Sequence, residues 1–168
     1  KRGMKVDYAE RAGEVIDIEL VGLRKVRSAL GKPFNQAVKL LLSRLAEGGK
    51  IVVTGLGKSL HIGQKVAATL TSTGTPAVVL HPSEAMHGDL GILQPRDVLL
   101  ALSYSGESEE LLRLIPIVKR SASPIVSLTG RPDSALARHS DAVISVAVDR
   151  EACPFNMAPT ASTTAMLA

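Results

Sequence analysis

Apolar residues recur at three- and four-residue steps through the first thirty positions, at Ala9, Ala12, Ile16, Leu20, Leu23 and Val26. That period predicts a helix from Lys5 to Leu30 with one buried stripe, ended by Gly31 and Pro33. Ala37, Val38, Leu41, Leu42 and Leu45 keep the same period, so a second helix is expected from near Asn35, closed by Gly48 and Gly49. The texture then changes to short β-branched runs: IVV at 51, AVVL at 77, VLLAL at 98, PIVSL at 124 and AVISV at 142. They are continuously apolar rather than alternating, the pattern of strands covered on both faces. Helical patterns at Ser59–Thr73, Ser108–Arg120 and Ser134–His139 separate most of them. This order predicts an α/β fold with a parallel sheet. Right-handed crossovers then put helices on both faces. The expectation is a three-layer doubly wound sandwich of five parallel strands, preceded by two helices. APTASTTAMLA opens a last helical pattern with Pro159 and its hydroxyl residues as start signals. No stop signal precedes Ala168, so the natural fold is expected to continue beyond it.

Composition narrows the partners. The chain has 168 residues, the size of one domain, and is 45% hydrophobic and 21% charged. Its aromatics are Tyr8, Tyr104, Phe34 and Phe155, which leaves almost nothing to stack bases on. The net charge of +4 is scattered along the chain, which favours a small anion over a nucleic acid. No apolar run is long enough to span a bilayer. The single cysteine, Cys153, fits a reducing compartment, and its ordinary reading is a small apolar filler.

The run IVVTGLGKSLHIG carries a strand, a tight glycine loop and a helix. A nucleotide P-loop needs glycine where Val52 stands, and the dinucleotide fingerprint needs glycine where Leu60 stands. A ribose-binding acid is also expected at the end of the second strand, where His81 sits. Both nucleotide readings fail on spacing. What remains is Lys58 and Ser59 at a strand's carboxyl end and a helix N-terminus, a place that favours an anion. The plain alternative is a tight βα turn with a solvated lysine.

A second loop, SYSGESEE, follows the VLLAL strand and offers the hydroxyls of Ser103, Ser105 and Ser108 around Gly106. One of them could simply cap the next helix, but a cap needs one hydroxyl, and three suit the oxygens of a monophosphate. Between the two loops, HPSEAMHGDLG is polar and holds His81, Glu84, His87 and Asp89. His87 suits a general acid or base near neutral pH. The histidine spacing matches no zinc signature.

GLGKS, STGTPA, HPSEAMHGDLG, SYSGES, TGRPDS and EACPFNMAPTASTTA together resemble the sugar isomerase (SIS) domain of the D-arabinose-5-phosphate isomerase family, from about Lys50 to the end. The resemblance implies an aldose–ketose isomerase that interconverts D-ribulose 5-phosphate and D-arabinose 5-phosphate through a cis-enediol, with no cofactor required. The product would feed synthesis of Kdo, an acid sugar of lipopolysaccharide and some capsules. The family's catalytic Lys, His and two Glu fall on Lys58, His87, Glu110 and Glu151. Its substrate contacts fall on Ser59, Gly74, Thr75, His87, Ser103, Ser105 and Ser108. His81 matches a position associated with inhibitory zinc. The implied assembly is a cytoplasmic homotetramer with shared active sites, a sugar monophosphate as its ligand, and no nucleic-acid or membrane partner. The family's further histidine, in a Ser-His-Pro-Gly-Gly motif, and the CBS pair of many members both fall past Ala168.

The residues also bear on the chemistry directly. Glu110 falls in the first turn after the serine loop, where a dry pocket would raise its pKa and make it a base; its alternative is a surface acid complementing the helix dipole. Glu151 is the other candidate base, and the sequence leaves the two open. Lys58 would stabilise a developing oxyanion or hold the phosphate. Arg131, beside Pro132, reads as a turn residue. Rival functions are a non-catalytic phosphosugar-binding regulatory SIS domain, against which the presence of His87 and Glu110 speaks, and an SIS isomerase for another sugar phosphate, against which HPSEAMHGDLG is the discriminator.

Overall fold

In a computed structural model, which describes residues 7–168, the apolar stripes and runs become seven helices and five strands. Helix α1, Tyr8–Ala29, is capped by Asp7, whose Oδ1 accepts from the N–H groups of Ala9 and Glu10. The expected residues Lys5 and Val6 of this helix lie outside the described residues. Helix α2 spans Lys32–Ala46, three residues earlier than the pattern indicated. Pro33 sits in its first turn, where no intrahelical bond needs the missing N–H, so it starts the helix rather than separating it from α1.

The strands are β1 Ile51–Gly55, β2 Ala77–Leu80, β3 Val98–Leu102, β4 Ile125–Thr129 and β5 Ala142–Ser145. The remaining helices are α3 Lys58–Ser72, α4 Pro82–Met86, α5 Glu109–Arg120, α6 Ala135–His139 and α7 Ala161–Leu167. A 3-10 turn covers Asp89–Ile92. Helix α4 and this turn lie in the segment read from sequence as a polar loop; five residues are too few to show a period.

All strand pairs are parallel, in the order β2-β1-β3-β4-β5. One face packs Ile51, Val53, Val98 and Leu100 against α2, α3 and α7. The other packs Val52, Leu99 and Ile125 against α4, α5 and α6. The expected three layers are therefore present, and the continuous apolar runs reflect burial on both sides. The chain leaves β1 toward β2 and then returns across β1 to β3. Strand order reverses between β1 and β3, and in open α/β sheets ligands bind at the carboxyl ends beside such a reversal.

At the opposite end of the same two strands, Asp97 is 2% exposed. It accepts from the N–H of Lys50 at 2.9 Å, the N–H of Gln94 at 2.8 Å and Lys50 Nζ at 2.5 Å. Burial opposes its ionisation, but the Lys50 ammonium and the two N–H groups outweigh it and hold the carboxyl below the ordinary range. Because the folded pKa is depressed, the stabilisation is full above the unfolded value of about 3.9. It is lost as pH falls through the folded pKa. Asp97→Ala is expected to lower unfolding stability by about 2–4 kcal/mol at pH 7, since two buried N–H groups lose their acceptor. The deficit should shrink below about pH 4, and urea melts at pH 7 and pH 3 measure both effects. An undiminished deficit at pH 3 would show that the carboxylate charge is irrelevant.

Candidate active site

Gly55 ends β1 where β3 and α3 come together. A Cβ there would lie 3.0 Å from the Leu102 carbonyl oxygen and 3.1 Å from the Ser59 carbonyl carbon, so a side chain would pry the first turn of α3 from the end of β3. Gly57 then takes φ 55 at the N-cap of α3, and no side chain caps this helix. Lys58 and Ser59 form its first turn, Lys58 exposed and Ser59 half-buried.

The serine loop leaves β3, the hydrogen-bonded neighbour of β1. Ser103 is buried; its Oγ accepts from the Gly106 N–H at 3.1 Å and lies 3.2 Å from Ser108 Oγ. Ser108 occupies the N-cap position of α5, but its hydroxyl makes no cap bond. It turns back to Ser103 instead, so the ordinary cap reading is not realised there. Ser105 is exposed, with its Oγ accepting from the Glu107 N–H at 3.3 Å. Gly106 has φ 65, and its carbonyl accepts from the Leu136 N–H, which seats the loop on α6. Two N-termini without side-chain caps, α3 and α5, thus flank the strand reversal together with a serine cluster. Helix N-termini of this kind are complementary to an anion.

The acids of the α5 entry differ in their engagement. Glu107 Oε1 accepts from the Ala135 N–H at 2.9 Å, and Glu109 pairs with Arg113 at 2.5 Å. Among the described residues, the Glu110 carboxylate has no hydrogen-bond or ion-pair partner, and neither has the Lys58 ammonium or the His87 ring. All three are exposed. The dry pocket expected around Glu110 is therefore not formed by this chain alone.

His87 ends α4 and is carried on the segment after β2, the other neighbour of β1. That segment walls a cleft of about 610 Å³ against α3, with Leu60 and Gln64 on one side and His81, Glu84 and Asp89 on the other. His81 itself is the N-cap of α4: its Nδ1 accepts from the Ser83 N–H at 3.1 Å. Nε2 then carries the proton of a neutral ring, so neither nitrogen is open to a metal while the cap is made. No group of three His, Cys, Asp or Glu side chains suited to a metal gathers among the described residues. Among the described residues, these side chains do not assemble a site for a resident zinc.

Glu151 stands between β5 and α7, as a loop residue. Its Oε2 accepts from Thr160 N–H at 2.7 Å, Thr160 Oγ1 at 3.0 Å and Ser162 N–H at 3.2 Å. Burial raises its pKa, but these donors and the Ser162 hydroxyl outweigh burial and hold the carboxyl below the usual range. Gly74 and Thr75 are not brought into the cluster. They close the far end of α3, with Gly74 N–H on the Thr71 carbonyl and Thr75 N–H on the Leu70 carbonyl. Fifteen residues of helix, about 22 Å, separate them from Lys58.

Cys153, read from the sequence as a small apolar filler, is partly buried, and the backbone N–H groups of Ala158, Met157, Phe155 and Asn156 lower its thiol pKa. Arg131 does sit in an exposed turn, where its N–H donates to Thr129 Oγ1. Tyr104 is a residue that sequence reasoning missed. Its ring lies over Gly130, and its Oη accepts from the Val148 N–H at 3.1 Å, tying the serine loop to the segment that leads to Glu151. Its only signal in the sequence is its place between two of the serines.

Residues 44–168 match the SIS domain family. Arabinose 5-phosphate isomerase KdsD of Francisella tularensis is 44% identical over 160 residues, which is 95% of this chain and 49% of that protein. The chain thus spans about half the length of the curated relatives it matches. A phosphosugar isomerase structure from Bacteroides fragilis, described as involved in capsule formation, superposes with a TM-score of 0.89 at 38% identity, covering 96% of this chain and 84% of that one. An Escherichia coli CFT073 protein solved in complex with arabinose 5-phosphate gives a TM-score of 0.81 at 33% identity, covering 96% and 86%. With its strand order, its serine loop and these matches, the chain belongs to the SIS domain family.

Proposed function

We propose that the chain binds a pentose monophosphate at the β1/β3 reversal and interconverts D-ribulose 5-phosphate and D-arabinose 5-phosphate. One observation carries this reading: two N-termini without side-chain caps and the Ser103–Ser108 pair flank the β1/β3 reversal, with Lys58 and Glu110 in the first turns of those two helices and unengaged among the described residues. Relatives named arabinose 5-phosphate isomerase, and the arabinose 5-phosphate in the CFT073 complex, support the choice of sugar.

The serine hydroxyls, with Ser59 and the α3 and α5 N–H groups, would hold the phosphate. Glu110 would take a proton from C1 of the ketose, the C–H electrons forming the C1–C2 double bond of a cis-enediol. Returning the proton to C2 gives the aldose. His87 would open the cyclic sugar and move a proton between O1 and O2, while Lys58 stabilises the developing oxyanion or holds the phosphate. The atoms balance, so the reaction as written needs no redox cofactor. The product suits a role in Kdo synthesis.

The working form is proposed to be a cytoplasmic homotetramer with sites completed between copies. Ile16 and Leu42 are each 59% exposed on α1 and α2, and Phe155 is 80% exposed; such surface is usually covered by a partner. Sharing would also bring Gly74 and Thr75 of one copy to the sugar of another. Sedimentation showing a stable monomer at micromolar concentration would overturn the tetramer. Neither nucleic acid nor membrane is assigned as a partner; no helix among the described residues is long and apolar enough to cross a bilayer. The direct test is incubation of the full-length protein with ribulose 5-phosphate, followed by NMR. Arabinose 5-phosphate is expected to accumulate to equilibrium, and no conversion would sink the isomerase reading.

A further inference from the structure

Tyr104 stands between Ser103 and Ser105, yet its side chain leaves the serine loop and crosses to the segment that follows β5. We propose that Tyr104 is a positioning residue for the isomerisation: its hydroxyl fixes the distance between the loop that holds the phosphate and the acid Glu151. The part that concerns catalysis rests on the isomerase reading above; the tie between the two segments does not.

The tie forms where the sheet ends. The Val146 N–H still pairs with the Thr129 carbonyl at 2.9 Å, but β4 stops at Thr129. Two residues further, the backbone of Val148 meets a side chain instead of a strand. Tyr104 Oη accepts from the Val148 N–H at 3.1 Å and donates to the Val148 carbonyl at 3.5 Å. The other end of the residue is anchored as well. The Tyr104 carbonyl accepts from the Gly130 N–H at 3.0 Å and from Thr129 Oγ1 at 3.2 Å. The ring lies where a Cβ on Gly130 would come within 2.5 Å of Cε2 and Cζ, and the three atoms nearest that Cβ all belong to Tyr104. The missing side chain at 130 is what lets the ring cross.

What the tie carries is Glu151. Three residues separate it from Val148, a span of no more than about 11 Å. Helix α1 closes the other side of the segment, where Val148 packs at Gly22 and Asp149 pairs with Lys25. That contact holds the segment to the body of the protein. Among the described residues, the Tyr104 side chain alone hydrogen-bonds it to the serine loop. The hydrogen bonds to the Glu151 carboxylate take up Oε2 and leave Oε1 for proton transfer. A sugar anchored by its phosphate on the serines presents its carbons at a fixed reach. An error of about 1 Å in the place of the acid can then cost about 10²-fold in turnover and leave the phosphate contacts intact. The phenol itself passes no proton, since both its bonds are spent on Val148.

The experiment uses the full-length protein with Tyr104→Phe, Gly130→Ala, and Tyr104→Ala with and without Gly130→Ala. It reads kcat for ribulose 5-phosphate, its pH profile, competitive inhibition by inorganic phosphate, and amide exchange at Val148. Tyr104→Phe keeps the ring and loses the hydroxyl. It should lower kcat about tenfold or more, keep the inhibition constant of phosphate within about threefold, keep the shape of the pH profile and melt a few degrees lower. Gly130→Ala displaces the ring without touching the phenol and should give the same split between turnover and phosphate. In the Tyr104→Ala background it should add no further loss, since no ring remains to displace. A Tyr104→Phe protein that turns over like the parent, or that loses phosphate affinity in step with turnover, would overturn the proposal. So would a changed pH profile, which would place the phenol in the chemistry. Should the alanine background fail to fold, Tyr104→Phe and Gly130→Ala still decide. If the parent itself shows no turnover, the isomerase reading fails, and amide exchange then judges the tie: equal exchange at Val148 in the parent and in Tyr104→Phe would overturn it.

Discussion

Lys58→Ala is expected to lower kcat for ribulose 5-phosphate by about 10²–10³-fold, the scale for removing one group that stabilises a developing oxyanion. The fold should survive. Lys58 is exposed, lies in the first turn of α3 and has no ion-pair partner among the described residues, so stability should change by no more than about 0.5 kcal/mol. The kinetic form of the loss separates the two roles proposed for it. A fall in kcat with little change in KM means an interaction made only in the transition state. A rise in KM with kcat unchanged means that Lys58 holds the phosphate in ground and transition state alike. Circular dichroism and a thermal melt accompany the assay, and an unfolded variant would make Lys58 structural.

Gly106→Ala carries the largest expected effect on the architecture of the site. Its φ of 65 disfavours any side chain, at about 1–2 kcal/mol. A Cβ there would also lie 2.0 Å from Ser134 Oγ and 2.4 Å from Ser134 Cβ. Ser134 is fully buried, and its hydroxyl caps α6 on the Ala137 N–H, so it cannot swing aside without leaving that cap unmade. The loop must move instead. That would pull Gly106 N–H off Ser103 Oγ and separate the hydroxyls of Ser103 and Ser108. We expect a loss of about 3 kcal/mol or more in stability, with sugar-phosphate affinity down by about tenfold or more. Adding Ser134→Gly should recover the steric part and leave the φ part. A Gly106→Ala protein that melts and binds like the parent would refute this account of the loop.

These two residues show how differently the site was written in the chain. Lys58 was legible because its signal is local: a strand run, a short glycine loop and a helical period in one stretch place it at a helix N-terminus. The five strands were legible for the same reason, as each announces its burial in its own four or five residues. Pro33 misled because one residue type both ends and begins helices, and only the following turn decides. Helix α4 was too short to declare a period.

The roles of the acids were of another kind. Glu107, Glu109, Glu110 and Glu151 are alike as residues, and what separates them is the donor each meets. Ala135, twenty-eight positions away, engages Glu107, and Thr160 and Ser162 engage Glu151. Ser108 read as a possible cap until Ser103 stood opposite it. Gly74 and Thr75 sit in one motif with their neighbours but fall at the far end of α3, because a helix converts fifteen residues into length.

Hydrophobic period and turn chemistry, which act over a few residues, therefore determined the five strands, the longer helices, the parallel α/β class and the two anion-suited loops from sequence alone. Only the tertiary structure decided that β3 pairs with β1, that both loops open on one strand reversal, and that Glu110 is left unengaged while Glu151 is held through Oε2. Those outcomes depend on hydrogen bonds and packing between segments distant in the chain, and no local pattern records which distant donor a carboxylate will meet.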